Sequence, residues 1–313
     1  MAGPTRASGY PNYSSTSGSG FTPAIWSGKL VEKLYARTAY AEIANTYYEG
    51  EIKGKGDTVE IRTTPDIVIS DYEIGGGLTY QKPTSDKVEL QIDQAKSFSF
   101  EINDIDAYQS DIKLMDNWSE NAGQNMKIEV DTNINAYGYT EVAAENAGAT
   151  AGKKSGSFNL GVAGAPLAIT KANILDILVD CGSVLDEQNV PEEDRWVLLP
   201  AWMNGMLKKS ELREANTMGD STSVFRNGKV GMLDRFHVFA NNNLSTVTDA
   251  TTTRQATNVM FGHKKALTFA SQMTSMETLK NPSDFGNLIR GLNVFGRKVI
   301  DENAIGHLYA ERG

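Results

Sequence analysis

The spacing of apolar and polar positions changes period several times along the chain, and each change marks a different kind of element. Residues 1–20, MAGPTRASGYPNYSSTSGSG, carry little apolar surface, too little to offset the entropy of ordering alone. Tyr10 and Tyr13 are the exceptions. Tyrosine is favoured in interfaces, so this arm is expected to order against a neighbouring subunit. Thr22-Pro23 starts a helix, threonine as the cap and proline at the first helical position. Trp26, Leu30 and Leu34, with Val31 and Tyr35 less regularly, continue it at helical spacing to about Tyr40, with a ragged end near Asn45.

From Gly54 the period is two. Val59 and Ile61, then Val88, Leu90 and Ile92, then Phe98, Phe100 and Ile102 alternate with polar residues, as half-buried strands do. Residues 54–97 read as a long two-stranded excursion with Gly75, Gly76 and Gly77 at its tip. A lone hairpin is marginal in water, so it is expected to lie on another surface, which need not belong to its own domain. At Asp104 the period becomes helical: Tyr108, Ile112, Met115, Trp118, Ala122, Met126, Val130, Ile134 and Tyr137 step by three or four. Asp111, Asp116, Glu120, Lys127 and Asp131 fall on the other faces. The pattern predicts a spine helix over 104–145, about 60 Å long at ~1.5 Å per residue. Its seam is too aromatic and irregular for a heptad coiled coil.

Residues 143–166 are dominated by Ala, Gly and Ser and make the best internal boundary. Beyond it the pattern is mixed α/β. Thr170 caps a helix through Ile174 and Leu185, residues 196–199 form a buried strand, and Pro200 begins a short helix through Trp202 and Leu207. Further strands are expected at 231–240, around 259–261 and near 266–269, and the tail offers 288–300, where Leu292, Val294 and Phe295 are apolar, and 305–309.

Composition narrows the function classes. The 313 residues are 40% hydrophobic with a net charge of −9. That is a globular balance, and it disfavours a general phosphate-neutralising binder. No apolar run approaches the roughly 18–20 residues of a membrane helix, and the N-terminus lacks a signal-peptide pattern, so a soluble protein is expected. Candidate chemistry is sparse. His237, His263 and His307 are isolated from one another and from the single cysteine, Cys181, so no metal-ligand spacing arises. No nucleophile elbow, zincin or phosphate-loop motif is present. Glu192, Glu193 and Asp194 read as a solvated loop. The expectation is no catalytic residue, no cofactor and no metal.

The order of elements, together with particular stretches, resembles the major capsid proteins of tailed (Caudovirales-type) phages with the Hong Kong 97-type fold. The stretches are FTPAIWSGKLVEKLYARTAYAEIANTYYEGEI (21–52), GDTVEIRTTPDI (56–67), IDAYQSDIKLMDNWSENAG (105–123), APLAITKANILDILVDCGSVLDEQNVPEEDRWVLLPAWMNGMLKKSEL (165–212), FRNGKVGMLDRFHVFANNNL (225–244) and LIRGLNVFGRKVI (288–300). The likeness is greatest to the short-tailed enteric phage coat proteins, without their inserted extra domain. It implies an α+β chain: an N-arm at 1–22, a helix and linker at 23–49, an extended loop (E-loop) hairpin within 50–100 and a spine helix of a peripheral domain at 104–145. An axial α/β domain at 165–265 follows, then a return to the peripheral domain at 266–313. The resemblance implies a non-catalytic shell subunit of the virion, assembled in the host bacterial cytoplasm. Its partners are copies of itself in hexamers and pentamers, a separate scaffolding protein, a portal, decoration proteins, and dsDNA touched weakly at the inner wall. Tyr10 and Tyr13 of the arm, and Tyr72, Ile74, Gly75, Gly76, Gly77, Leu78 and Tyr80 near the hairpin tip, are the candidate intersubunit contacts. An encapsulin-like nanocompartment shell shares this fold and is the alternative.

Overall fold

The structure is a computed structural model and describes residues 35–48, 58–62, 64–65, 67–75, 77, 80–85, 87–104, 114–210, 231–282 and 284–313. Tyr10, Tyr13, Gly76, Leu78 and the helix expected from Thr22 through residue 34 lie outside the described residues.

The described end of that expected helix differs from the pattern. Residues 35–39 have no regular structure, and helix α1 occupies Tyr40–Ile43. Its start is set from afar: the amides of Ala39 and Tyr40 both donate to Asp131 Oδ1 at 2.9 Å. The orphan donors of a helix start need such a partner, and one 92 positions away leaves no local trace.

Strands β1 (Thr58–Arg62) and β2 (Lys87–Gln91) pair antiparallel, with Thr58 opposite Gln91 and Arg62 opposite Lys87. Only this stem is strand. The described residues between 64 and 85 have no regular structure, and Gly75 and Gly77 take φ of 89° and 74° at the tip. Ile61, Leu90 and Ile92 bury against Ala270, with Val294 and Ile300 at the margin. The stem therefore lies on its own chain, and only the tip is left uncovered.

β3 (Gln94–Asn103) is one edge of an antiparallel sheet completed by β11 (Gly286–Val299) and β10 (Leu267–Lys280), in the order β10-β11-β3. The outer half of β10 was not legible as strand. Residues 271–280 are mostly polar, and the pairing of Lys280 with Asn287 through Ser275 with Leu292 makes them one. Helix α2 (Leu114–Gly138) lies against this sheet. It stops at Gly138, short of the expected 145, and passes into 3-10 turns at 139–141 and 144–146. Burial is uneven along it. None of residues 116–129 is fully buried, whereas Val130, Asp131, Ile134, Asn135 and Gly138 are. Asp131, read from its spacing as an outer-face residue, is 0% exposed.

The second sheet contains β4 (Leu167–Ile169), β5 (Arg195–Leu199), β6 (Met232–Leu233), β7 (Phe236–Ala240), β8 (Thr246–Thr248), β9 (Gln255–His263) and β12 (Ile305–Arg312). Its order is β4-β12-β9-β5-β7-β6, with β8 also on β9; β4 with β12 and β5 with β7 run parallel. Helices α3 (Ile174–Glu187) and α4 (Ala201–Lys209) belong to this half. α3 starts four residues past Thr170, whose amide and hydroxyl both bond Asn173 Oδ1. The tail is divided between the sheets. β10 and β11 build the three-stranded sheet with β3, but β12, mostly buried, sits between β4 and β9 in the larger one.

Residues 143–166 are folded, not slack. The amides of Ala151 and Phe158 each bond the other's carbonyl, and Leu160, fully buried, accepts from Tyr309 N at 2.8 Å. Gly161 makes that approach possible: at φ 76° an added Cβ would stand 2.2 Å from Tyr309 O and 2.9 Å from Leu167 N. Gly161→Ala therefore combines a left-handed backbone penalty of roughly 1–3 kcal/mol with overpacking of about the same size. We expect a loss of about 2–5 kcal/mol in urea unfolding, and a midpoint equal to that of the parent chain would contradict this packing.

Arg195 is the largest buried charge. Its guanidinium donates to Asp186 Oδ1 at 2.8 Å and to the carbonyls of Pro191 and Val190 at 2.8 and 2.6 Å. It thereby ties the end of α3 to the loop that enters β5, where C-terminal carbonyls favour a cation.

Candidate assembly surface

The described residues of the loop between β1 and β2 carry their apolar side chains on the outside. Ile69, Ile74 and Tyr80 are 94%, 95% and 85% exposed, and Ile67, Val68 and Tyr72 are also exposed. The loop is nevertheless held closed. Val68 N donates to Gln81 Oε1 at 3.1 Å, and Gln81 Nε2 donates back to Val68 O, so one side-chain amide replaces a missing rung of the ladder. At the stem, Lys87 Nζ meets Glu60 Oε2 at 2.5 Å and holds that carboxyl below the usual range. An extended, internally braced arm with an apolar skin is built to be covered, because exposed apolar clusters of this kind mark interaction sites.

Of the residues singled out from sequence, Tyr72, Ile74, Gly75, Gly77 and Tyr80 fall on this loop, and an added Cβ at either glycine would meet open space. Sequence reasoning passed over Ile67, Val68 and Ile69. Three consecutive apolar residues without alternation, flanked by Pro65 and Asp71, were the available signal. It also passed over the turn end of the β10–β11 hairpin, where Met276, Leu279 and Phe285 are exposed.

Among the described residues, no three His, Cys, Asp or Glu side chains form a group able to hold a metal. No helix of the described residues is long and apolar enough to cross a membrane. His237 is exposed on β7. His263 is buried and its Nδ1 accepts from Lys265 N at 3.1 Å. Cys181 is buried, and burial pushes its thiol up, away from thiolate chemistry. Glu192 is engaged with Arg235 at 3.0 Å, and Arg235 also binds Asp186.

His307 is the most perturbed histidine. Its Nε2 lies 2.9 Å from Asn258 Oδ1, the ring packs 5.3 Å from Tyr139, and burial pushes its pKa down to about 4. The unfolded chain therefore takes up this proton first as pH falls. The corresponding stability is complete above the unfolded value of 6.5 and is lost as pH drops towards about 4. At most about 3 kcal/mol is involved, at ~1.4 kcal/mol per unit. Urea midpoints of the parent chain should fall between pH 7 and pH 4 by more than those of His307→Gln; equal slopes would contradict the assignment.

Comparison with solved structures defines the class. A chain from a structure titled Mycobacterium phage Che8 is 26% identical, with 92% of this chain and 97% of that one covered at a TM-score of 0.75. The capsid structure of Cyanophage P-SCSP1u is 17% identical, with 94% of each chain covered at 0.68. The capsid of Cyanophage Pam1 is 12% identical, with 93% and 97% covered at 0.64. Neither a protein-family model nor a curated protein matches the sequence. The chain has the α+β fold of phage capsid proteins, the Hong Kong 97-type fold, along almost its whole length.

Proposed function

We propose that this chain is the major capsid protein of a tailed phage, a subunit that assembles with copies of itself into the icosahedral head shell around double-stranded DNA. The observation that carries the reading is the braced, outward E-loop, whose Ile69 and Ile74 are almost wholly exposed on a chain with the capsid fold. In this reading the subunit belongs to the virion, is assembled in the bacterial cytoplasm, and forms hexamers and pentamers. Residues 1–22 act as the N-arm, the E-loop and α2 belong to the peripheral part, and 165–265 form the axial domain. Tyr10, Tyr13, Tyr72, Ile74, Gly75, Gly76, Gly77, Leu78 and Tyr80 are its intersubunit contacts. A separate scaffolding protein, a portal and decoration proteins complete the partner set. The net charge of −9 suits a wall that holds DNA weakly, since grip on phosphate scales with cationic contacts. The subunit is non-catalytic, which the scattered histidines and the inert Cys181 support. Within that class we read the chain as nearest the short-tailed enteric phage coat proteins, on the strength of the sequence stretches quoted above. The phage structures named above favour this reading over a nanocompartment shell.

Negative-stain microscopy of the expressed protein, with and without a co-expressed scaffold, tests the proposal. Icosahedral shells or capsomer-like rings are expected. A monodisperse monomer under all assembly conditions would refute it.

A further inference from the structure

Where β5 ends, the larger sheet carries a pocket of about 430 Å³. It lies between the start of α4, the loop after β7, strands β8 and β9, and Arg312 of β12. Its polar groups are almost all donors in need of an acceptor. Arg312 is exposed and its guanidinium has no partner among the described residues. Thr257 is only 4% exposed, yet its hydroxyl finds no partner there either. Asn242 uses its Oδ1 on the amide of Ala201 at 3.1 Å, which leaves its NH2 free to donate. The amide of Trp202 falls in the first turn of α4, where helix amides lack an internal acceptor. No carboxylate lines the pocket. A recess with one cation, several unused donors and no anion of its own is a seat for an anion.

The size of the charge indicates which anion. Grip on a nucleic-acid backbone needs many cations, and Arg254, which bonds the Arg312 carbonyl, is already engaged by Glu311 at 3.5 Å. One free guanidinium suits one carboxylate. The chain has 39 acidic residues against 30 basic ones, so its own copies supply carboxylates in excess.

One of them is placed for the task. The turn before β5 reads Glu192-Glu193-Asp194. It is held on both sides of its centre: Glu192 bonds Arg235 at 3.0 Å, and the Asp194 carbonyl accepts from Lys264 N at 3.2 Å. Glu193 between them is exposed and without a partner among the described residues. β5 follows this turn directly and ends at Leu199, beside Pro200 of the pocket. Turn and pocket therefore lie at opposite ends of one strand, about 17 Å apart at ~3.3 Å per residue. A projection at one end and a matching recess at the other make a head-to-tail contact, and such contacts close into rings.

We infer that the pocket formed by Arg312, Thr257, Asn242 and the start of α4 receives the Glu193 carboxylate of a second copy of this chain. The inference rests on the shell reading and names one contact within its hexamers and pentamers.

Charge reversal in the full chain tests it, read by sedimentation and negative-stain microscopy. Arg312→Glu and Glu193→Arg should each lower the yield of rings and shells by about ten-fold, since repulsion replaces attraction at every such interface. The urea midpoint should stay at that of the parent chain. Arg312→Glu combined with Glu193→Arg should bring the yield back to within about two-fold, the behaviour of a directly coupled pair. If a reversal unfolds the subunit, Arg312→Cys with Glu193→Cys carries the test. These positions are too far apart within one subunit for a disulfide, so mild oxidation of the assembled chain should give a ladder of linked copies, and a product that stays monomeric would overturn the inference. Parent shells whose yield neither reversal changes, or single defects that the double variant fails to restore, would also overturn it and leave the shell reading standing. A parent chain that never associates would refute both. Loss of packaged DNA from Arg312→Glu shells of normal yield would assign the pocket to phosphate instead, and so refute the Glu193 contact.

Discussion

Deleting residues 72–82 and closing the gap with a short Gly-Ser link is expected to leave a folded subunit that no longer makes stable shells. The stem would survive, because β1 and β2 pair at 58–62 and 87–91 and bury Ile61, Leu90 and Ile92 against the chain's own sheet. What disappears is the exposed tip with Tyr72, Ile74 and Tyr80, together with the Gln81 amide that clasps Val68. These side chains contribute almost nothing to the isolated subunit, since they remain in water. Burying one such isoleucine against a neighbour is worth roughly 1.5–3 kcal/mol. Association must also overcome the lost freedom of the partners, so removing several anchors at every subunit interface takes away the net gain. Unfolding midpoints should therefore change little while shells vanish from electron micrographs. Ile69→Asp with Ile74→Asp should reproduce the defect without a deletion. Normal, stable shells from the deletion variant would remove the E-loop from the assembly surface.

The second large effect is expected inside the subunit. Asp131 is fully buried, and five N–H groups donate to its carboxylate. Oδ1 receives the amides of Ala39 and Tyr40, while Oδ2 receives the side-chain amides of Asn135, Asn241 and Asn243. Three separate segments meet there: the irregular stretch entering α1, the long helix α2, and the loop after β7. Asp131→Ala leaves these donors unsatisfied at about 1–3 kcal/mol each before relaxation. Some will recruit water or one another, so we expect a net loss of about 3–5 kcal/mol, a large part of the ~5–15 kcal/mol that holds a domain together. Asp131→Asn retains one acceptor but turns a donor towards the Asn241 and Asn243 amides, and should be almost as damaging. Chemical denaturation measures both, and a loss below 1 kcal/mol for Asp131→Ala would show that the joint is dispensable.

Much of the fold was legible because burial on one face imposes a period. Val88, Leu90 and Phe98, Phe100, Ile102 marked β2 and β3, and the 3–4 spacing to Ile134 marked α2. The candidate surface was partly legible. The glycines near 75 announced a turn, and Tyr72 and Ile74 stood out as apolar residues beside it. Phe285 and the hairpin end of β10 were not, since a strand of mostly polar residues shows no alternation until its partner is known.

By itself, then, the sequence determined where the chain changes period, which segments cannot be stable alone, and that no catalytic constellation recurs along it. Only the tertiary structure decided that the E-loop stem rests on its own sheet, that β12 joins the larger sheet while β10 and β11 build the smaller, and that Gly161 must stay bare beneath Tyr309. Asp131 shows the reason most plainly. On the helical pattern it is one more carboxylate on an outer face, and in the fold it is buried under donors from residues 39–40 and 241–243. Periodicity reports which side of an element faces the core. It carries no record of which distant amides will arrive to satisfy a buried charge.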